Sequence, residues 1–202
     1  MRWERLFADL EARFDELADS DLSAQLADRQ RVEAGAVAMV QRLAGSVGRP
    51  IRVRVGGGST VAGALVAVGP DWVLVSEGQG RDALVAARAV VAVEGLSAVT
   101  ALPMLGVSIR LDLRRALRGL VRDRAPVAMT VAGWPSSDAG TSAGVGSSGS
   151  SGEITGTIDR VGADFVEIAV HAAWEPRRAA SVRTVMLVPL AAVMLVRALP
   201  LG

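Results

Sequence analysis

Two stretches of the chain carry the same alternation of apolar and polar positions. Residues 61–75 (VAGALVAVGPDWVLV) align without a gap with residues 154–168 (ITGTIDRVGADFVEI), at an offset of 93 positions (154 − 61). Val-rich segments with a period of two predict β-strands, and the Gly-Pro-Asp and Gly-Ala-Asp steps in their middle are typical of turns. Each stretch is therefore predicted to form a β-hairpin, and the recurrence indicates two copies of one supersecondary unit.

Further apolar segments flank both predicted hairpins. Residues 51–55 (IRVRV) and 127–131 (VAMTV) precede them, and residues 84–93 (LVAARAVVAV) and 187–196 (LVPLAAVMLV) follow. The last pair is offset by 103 positions (187 − 84), so the second copy holds ten additional residues in the intervening loop. This gives about five short strands per copy, the strand count of a small closed barrel.

The order of helix, strand, hairpin, variable loop and Val-rich strand pair resembles the Sm-like branch of the small SH3-like barrels. The resemblance covers roughly residues 49–97 and 109–198, and it is carried by a hairpin motif that occurs twice: Gly63, Leu65, Val68, Gly69, Asp71 and Trp72, then Gly156, Ile158, Val161, Gly162, Asp164 and Phe165. The whole chain also resembles a family of uncharacterised actinobacterial proteins, some of which carry the label of transcriptional regulator. We therefore expect an α+β fold of two tandem five-stranded Sm/SH3-like β-barrels, each preceded by a helix, with an N-terminal helical hairpin.

The expected domain organisation follows from this layout. Residues 1–48 form an N-terminal helical segment, 49–97 the first barrel, 98–125 a linker with an Arg-rich helix, and 126–202 the second barrel with a disordered loop at 132–152. The N-terminal segment carries an apolar stripe at heptad spacing, made of Trp3, Phe7, Leu10, Phe14 and Leu17. Two interpretations stay open: the helices pack on one end of the first barrel, or the stripe forms a coiled-coil dimer or docks on a protein partner.

Basic residues concentrate before and inside the second copy. The whole chain has a net charge of +1, whereas residues 98–124 hold six Arg and two Asp, a net charge of +4. The predicted helix here has a buried stripe that includes Leu113 and Leu117. Candidate nucleic-acid contacts are Arg110, Arg114, Arg115, Arg118, Arg122 and Arg124, with Arg177, Arg178 and Arg183 in a second basic loop. The arginines could contact phosphates, or they could form a solvated, acid-paired helix face.

The sequence offers little for catalysis. His171 is the only histidine, and the chain has no Cys, Lys or Tyr. A surface position for His171 is the simpler expectation, and no cluster of metal-ligating residues is present. The glycines at 56–58 are predicted to form a hairpin loop, because a phosphate cradle needs a following helix and a Lys. Asp71 and Asp164 are predicted to stabilise turns. We therefore expect no enzymatic activity, no metal, no cofactor and no small-molecule substrate.

The predicted function is a non-enzymatic binding or scaffolding module that acts through protein–protein contacts or self-association, using the N-terminal helices and barrel edges. The alternative is a DNA- or RNA-binding regulatory protein that uses the Arg-rich helix at 108–124. Against it, single-stranded RNA sites favour aromatic residues for base stacking, and aromatics are only 3% of this chain. The longest apolar runs are shorter than the roughly 20 residues of a membrane span, so we expect a cytoplasmic protein with no membrane contact.

Overall fold

The structure, a computed structural model, describes residues 25, 28, 35–102, 110–134, 151–172 and 182–199. Within these ranges the chain forms ten β-strands and two α-helices. In chain order they are α1 (Met39–Ala44), β1 (Pro50–Val55), β2 (Thr60–Val68), β3 (Trp72–Gly78), β4 (Arg81–Ala86), β5 (Val90–Glu94), α2 (Leu113–Asp123), β6 (Pro126–Ala132), β7 (Ser151–Val161), β8 (Phe165–Val170), β9 (Thr184–Pro189) and β10 (Val193–Ala198).

All ten strands belong to one antiparallel, open sheet, with the order β5-β1-β2-β3-β4-β10-β6-β7-β8-β9. The predicted fold of two five-stranded barrels with an N-terminal helical hairpin is therefore wrong. The physical reason is that β4 hydrogen-bonds to β10, with Leu84 opposite Val196. This pairing joins the two copies edge to edge into one sheet. The described residues contain two helices, and residues 1–34 lie outside them apart from residues 25 and 28.

The two predicted hairpins are confirmed as β2–β3 and β7–β8. Their turns close in the same way, since Gly69 N donates to Trp72 O and Gly162 N to Phe165 O, both at 2.8 Å. The register shifts at the same place in each hairpin, and the paired residues correspond at the offset of 93 positions: Ala64↔Ser76 with Thr157↔Ala169, Leu65↔Val75 with Ile158↔Ile168, Ala67↔Leu74 with Arg160↔Glu167, and Val68↔Val73 with Val161↔Val166.

The core is built from aliphatic side chains. The largest fully buried ones come mainly from the strands, with Leu43 added by α1 and Leu117 by α2. The half-buried aromatic Trp72 packs at the margin of this core. Burial of Val, Leu and Ile side chains stabilises the fold by about 1.5–3 kcal/mol each, so the sheet forms a core with few aromatic residues.

Helix α2 begins against the first hairpin. Asp112 caps it by accepting a hydrogen bond from Arg115 N at 2.9 Å, and Leu113 N donates to Asp71 Oδ1 at 2.7 Å. The indole N–H of Trp72 donates to Leu111 O at 2.6 Å. Asp71 therefore does more than the turn stabilisation that we predicted, because it also accepts one of the free N–H groups at the start of a helix.

The other end of α2 lies on the second copy. The helix packs against β7, and the Arg118 guanidinium donates to Val161 O at 3.3 Å. Arg124 ends the helix in the left-handed region, with φ of 48°. The Arg-rich helix was predicted at 108–124 and is observed at Leu113–Asp123. It connects the first hairpin with the second, across the line where β4 meets β10.

Two arginines hold the junction of β4 and β10, which we call the seam. Arg88 donates to the carbonyls of Leu190, Ala191 (3.0 Å) and Val193 (2.6 Å). From the other side, Arg197 donates to Glu77 Oε2 at 3.1 Å and to Thr60 O at 3.0 Å. Burial lowers the pKa of the Arg88 guanidinium below its ordinary value, and the negative charge of nearby Asp71 offsets part of this effect. An arginine nevertheless keeps its charge in a protein.

We expect Arg88→Met to weaken the seam. The variant keeps the apolar stem but removes the donors of all three hydrogen bonds, so the free energy of unfolding should fall by about 1–3 kcal/mol. Urea unfolding measures the loss. Arg81→Met is the matched control. Among the residues that the structure describes, the Arg81 guanidinium bonds to Gln79, an exposed contact, and its loss should change stability by less than about 0.5 kcal/mol. Equal effects of both substitutions would contradict the role assigned to Arg88.

A second expectation concerns glycines where strands approach closely. A Cβ at Gly63 would lie 2.0 Å from Ser76 O, and a Cβ at Gly156 would lie 2.1 Å from Ala169 O. Gly63→Ala and Gly156→Ala should therefore each destabilise the protein by about 1–3 kcal/mol. Gly119→Ala is the control: its Cβ would meet nothing within 4 Å, and helix propensity predicts a gain of about 0.5–1 kcal/mol. Thermal unfolding of the three variants tests this: the melting temperature should fall for Gly63→Ala and Gly156→Ala and rise for Gly119→Ala.

Candidate functional site: the open sheet edges and the arginine helix

The sheet has two open edges, β5 at one end and β9 at the other. Both edge strands expose apolar side chains: Val91 of β5 is 71% exposed, and Val185 and Leu187 of β9 are 58% and 62% exposed. An edge strand carries a row of backbone N–H and C=O groups without a neighbouring strand, and proteins usually protect it with charge or proline. Apolar edges of this kind are candidate surfaces for pairing with another strand.

The two open edges correspond to the two strands that already pair inside the chain. At the offset of 103 positions, β9 is the counterpart of β4, and β5 is the counterpart of β10. In the seam Leu84 lies opposite Val196, and the counterparts of these residues are Leu187 and Val93. The outer edges of β5 and β9 are therefore the counterparts of the two strand edges that the seam joins, and no other described strand pairs with them.

The arginine contacts of the seam do not recur at the open edges. Ala191 stands at the position that corresponds to Arg88, and Glu94 at the position that corresponds to Arg197. Glu94 bonds instead within its own half, where Arg54 donates to Oε1 at 2.8 and 2.9 Å and Arg52 lies 3.7 Å from Oε2. The hydrogen bond from Arg54 lowers the pKa of the Glu94 carboxyl group. Pairing at these edges would therefore rest on backbone hydrogen bonds and apolar contacts.

The predicted arginine stripe does not form one uniform face. Arg110 lies before the helix and is exposed, while Arg114 is half-buried, with Nη2 3.6 Å from Asp112 Oδ2. Arg115, Arg118 and Arg122 are exposed along α2, and Arg124 is exposed at its C-terminal end. Among the described residues, the C-terminal part of this set comes together with a further basic residue, because α2 packs on β7.

That further basic residue is Arg160 of β7, which the sequence analysis missed. Arg122, Arg124 and Arg160 line one polar cavity of about 530 Å³, together with the carboxylates of Asp159 and Glu167. Arg160 Nε lies 3.6 Å from Glu167 Oε2. The packing of α2 on β7 brings this cluster together, which the local sequence does not show. The one signal in the sequence was that Arg160 stands in the second copy at the position where the first copy has Ala67.

Several predicted contact residues fall outside the described residues. These are the stripe of Trp3, Phe7, Leu10, Phe14 and Leu17, and the pair Arg177 and Arg178. Arg183 is described and exposed just before β9. Trp72 and Phe165 begin β3 and β8, and both residues are half-buried. Trp72 packs at the margin of the core, and neither ring is a fully exposed stacking platform.

The prediction of a surface position for His171 is wrong, because the residue is only 2% exposed. Its Nε2 lies 2.8 Å from Thr157 Oγ1 and its Nδ1 lies 2.9 Å from Ala172 O. Both ring nitrogens thus have hydrogen-bond partners inside the protein. The sequence could not show this burial, which depends on the pairing of β7 with β8.

The described part of the chain holds neither a cluster of metal-ligating side chains nor a membrane-spanning helix. No three His, Cys, Asp or Glu side chains come together there as candidate metal ligands. No helix in those ranges has the length and apolar character needed to cross a membrane.

No protein-family model, curated protein or solved structure matches this chain. The resemblance to Sm-like proteins and to the actinobacterial family therefore stays a prediction.

Proposed function

We propose that the protein is a non-enzymatic binding and scaffolding module that associates with other protein chains by pairing its open edge strands. The correspondence of β9 with β4, and of β5 with β10, carries this proposal. Strand addition to an open edge provides main-chain hydrogen bonds for affinity and side-chain pockets for specificity. The exposed Val185, Leu187 and Val91 provide apolar surface beside those edges.

We propose that the strand that pairs with each open edge comes from a second copy of this chain. If β9 of one copy pairs with β5 of the next in the register of the seam, Leu187 lies opposite the partner's Val93. Such a contact joins different surfaces of the two copies, so it repeats and builds a ring or a filament. It lacks the arginine contacts of the seam, and we therefore expect association between copies to be weaker than the pairing of β4 with β10.

The surroundings of His171 support a non-enzymatic role. A general base needs a nitrogen that can reach the substrate, whereas this ring is buried and bonded to Thr157 and to a backbone carbonyl. We therefore propose that the chain acts through its exposed edge strands and not through His171.

The association should depend on β9. We expect the wild-type protein to increase in mass with concentration, and the double variant Val185→Lys with Leu187→Lys to weaken association at least about tenfold, because lysines on an edge oppose pairing. Sedimentation velocity across a concentration series measures this. The control is Val47→Lys with Val66→Lys, two exposed valines (49% and 47%) away from the sheet edges. A wild-type protein that stays monomeric at all concentrations, or equal masses for both double variants, would contradict the proposal.

A mixture of two variants, each with a different edge strand blocked, tests whether β9 pairs with β5. The β9 double variant retains an intact β5, and Val91→Lys retains an intact β9. Each alone should be monomeric, and the mixture should form a dimer of one copy of each. A mixture that stays monomeric would exclude pairing of β9 with β5 and would leave a different protein as the occupant of the edges.

Nucleic-acid binding is the second candidate function. The observation that favours it is the convergence of Arg122, Arg124 and Arg160 at one cavity. Guanidinium groups bind phosphate oxygens in a bidentate manner, so this cluster could contact a phosphate backbone. Asp159 and Glu167 in the same cavity oppose such binding, and for this reason we place the edge strands first.

Salt dependence distinguishes the two candidates. If the cluster binds phosphates, Arg122→Gln with Arg124→Gln should weaken duplex DNA or single-stranded RNA binding and reduce the slope of log K against log salt by about 2. The control is Arg81→Gln with Arg183→Gln, which removes the same charge from exposed positions elsewhere. Fluorescence anisotropy at several salt concentrations provides the slopes. Equal slopes in both double variants would exclude a phosphate site at this cavity.

A further inference from the structure

A second, more apolar cavity lies between α2 and the seam, with a volume of about 440 Å³. Its floor is a row of side chains across three neighbouring strands, Leu74, Leu84 and Val196, which lie opposite one another in register. Its roof is formed by α2, which contributes Ala116, Gly119 and Leu120. The volume falls within the range of small-molecule sites, which are mostly apolar with a few placed polar groups.

One wall of the cavity is held rigidly in place. Trp72 and Leu111 both line it, and the Trp72 indole N–H donates to Leu111 O at 2.6 Å. The polar atom of the indole ring is therefore already satisfied. The ring offers the cavity an apolar surface of fixed orientation, and a ligand needs no hydrogen bond to it.

Two side chains of opposite charge also line the cavity, Asp82 of β4 and Arg115 of α2. Both are exposed, and among the described residues neither side chain has an ion-pair or hydrogen-bond partner. A carboxylate and a guanidinium that line one cavity without pairing leave room for a ligand that carries the two opposite charges. An anionic ligand alone would meet the carboxylate of Asp82, and a cationic ligand alone would meet Arg115.

We propose that this cavity binds a small zwitterion with an apolar body, of the class of α-amino acids with a large apolar side chain. The ligand carboxylate binds Arg115, which can form two parallel hydrogen bonds with it, and the ligand ammonium group binds Asp82. The apolar side chain lies on Leu74, Leu84 and Val196 and against the ring of Trp72. Neither the edge strands nor the basic cavity takes part, so this site is independent of the proposed function.

Calorimetric titration of the full chain with L-phenylalanine and three analogues tests each part of the proposal. L-Phenylalanine should bind at one site. Phenethylamine, which lacks the carboxylate, and 3-phenylpropionate, which lacks the ammonium group, should each bind at least about tenfold more weakly, since each loses a charge-assisted hydrogen-bonded pair. Glycine, which lacks the apolar body, should show no measurable binding. Equal affinities for the three aromatic compounds, or no saturable binding of L-phenylalanine, would overturn the proposal.

Variants then assign the two charges. Arg115→Gln should weaken L-phenylalanine binding at least about tenfold without weakening phenethylamine binding, because it removes a charge that opposes the amine. Asp82→Asn should likewise weaken L-phenylalanine binding without weakening 3-phenylpropionate binding. Arg122→Gln, on the same helix but not among the residues that line this cavity, is the control and should bind as the wild type does; its thermal unfolding shows that the helix is intact. Binding that survives both charge substitutions would overturn the assignment.

Discussion

The antiparallel pairing of β4 with β10 is the contact on which the rest of the structure depends. Without it, the two five-stranded halves would each present one more open edge, and α2 would have no continuous surface to cross. The pairing is long-range, since Leu84 meets Val196, so the entropy of closing that loop opposes it. Backbone hydrogen bonds alone offset little of this cost. The contacts of Arg88 and of Arg197 with Glu77 therefore lie where additional stabilisation is needed.

The same arginine contacts explain how two similar halves can have different edges. The hairpins share their register pair by pair, yet Ala191 and Glu94 stand where the seam requires arginines. The edges keep the backbone geometry and apolar residues of the seam without its polar contacts. This difference gives the pairing of β4 with β10 polar contacts that a pairing of β9 with β5 between chains would lack, so the association that we propose would be the weaker of the two.

The sequence predicted what is local and missed what is long-range. Alternation and turn residues located both hairpins, and Trp72 and Phe165 begin the strand after each turn. The strand count then led to two barrels, because nothing in the alternation shows which edge meets which. The contacts of Arg88, the burial of His171 and the approach of Arg160 to α2 all arise from strand or helix packing between distant segments. No periodicity in the sequence indicates them.

Helix α2 contacts both halves of the sheet and covers the seam between them. Its first N–H groups bond to Asp71 and Asp112, and its far end packs on β7, so one rigid element contacts both halves. The cavity over the seam exists because the helix is held at these two ends above a row of apolar residues from β3, β4 and β10. A ligand there would contact both strands of the seam and the helix together. By mass action it would stabilise the joined sheet over any state in which the halves separate, and the same ligand would leave the edge strands β5 and β9 accessible.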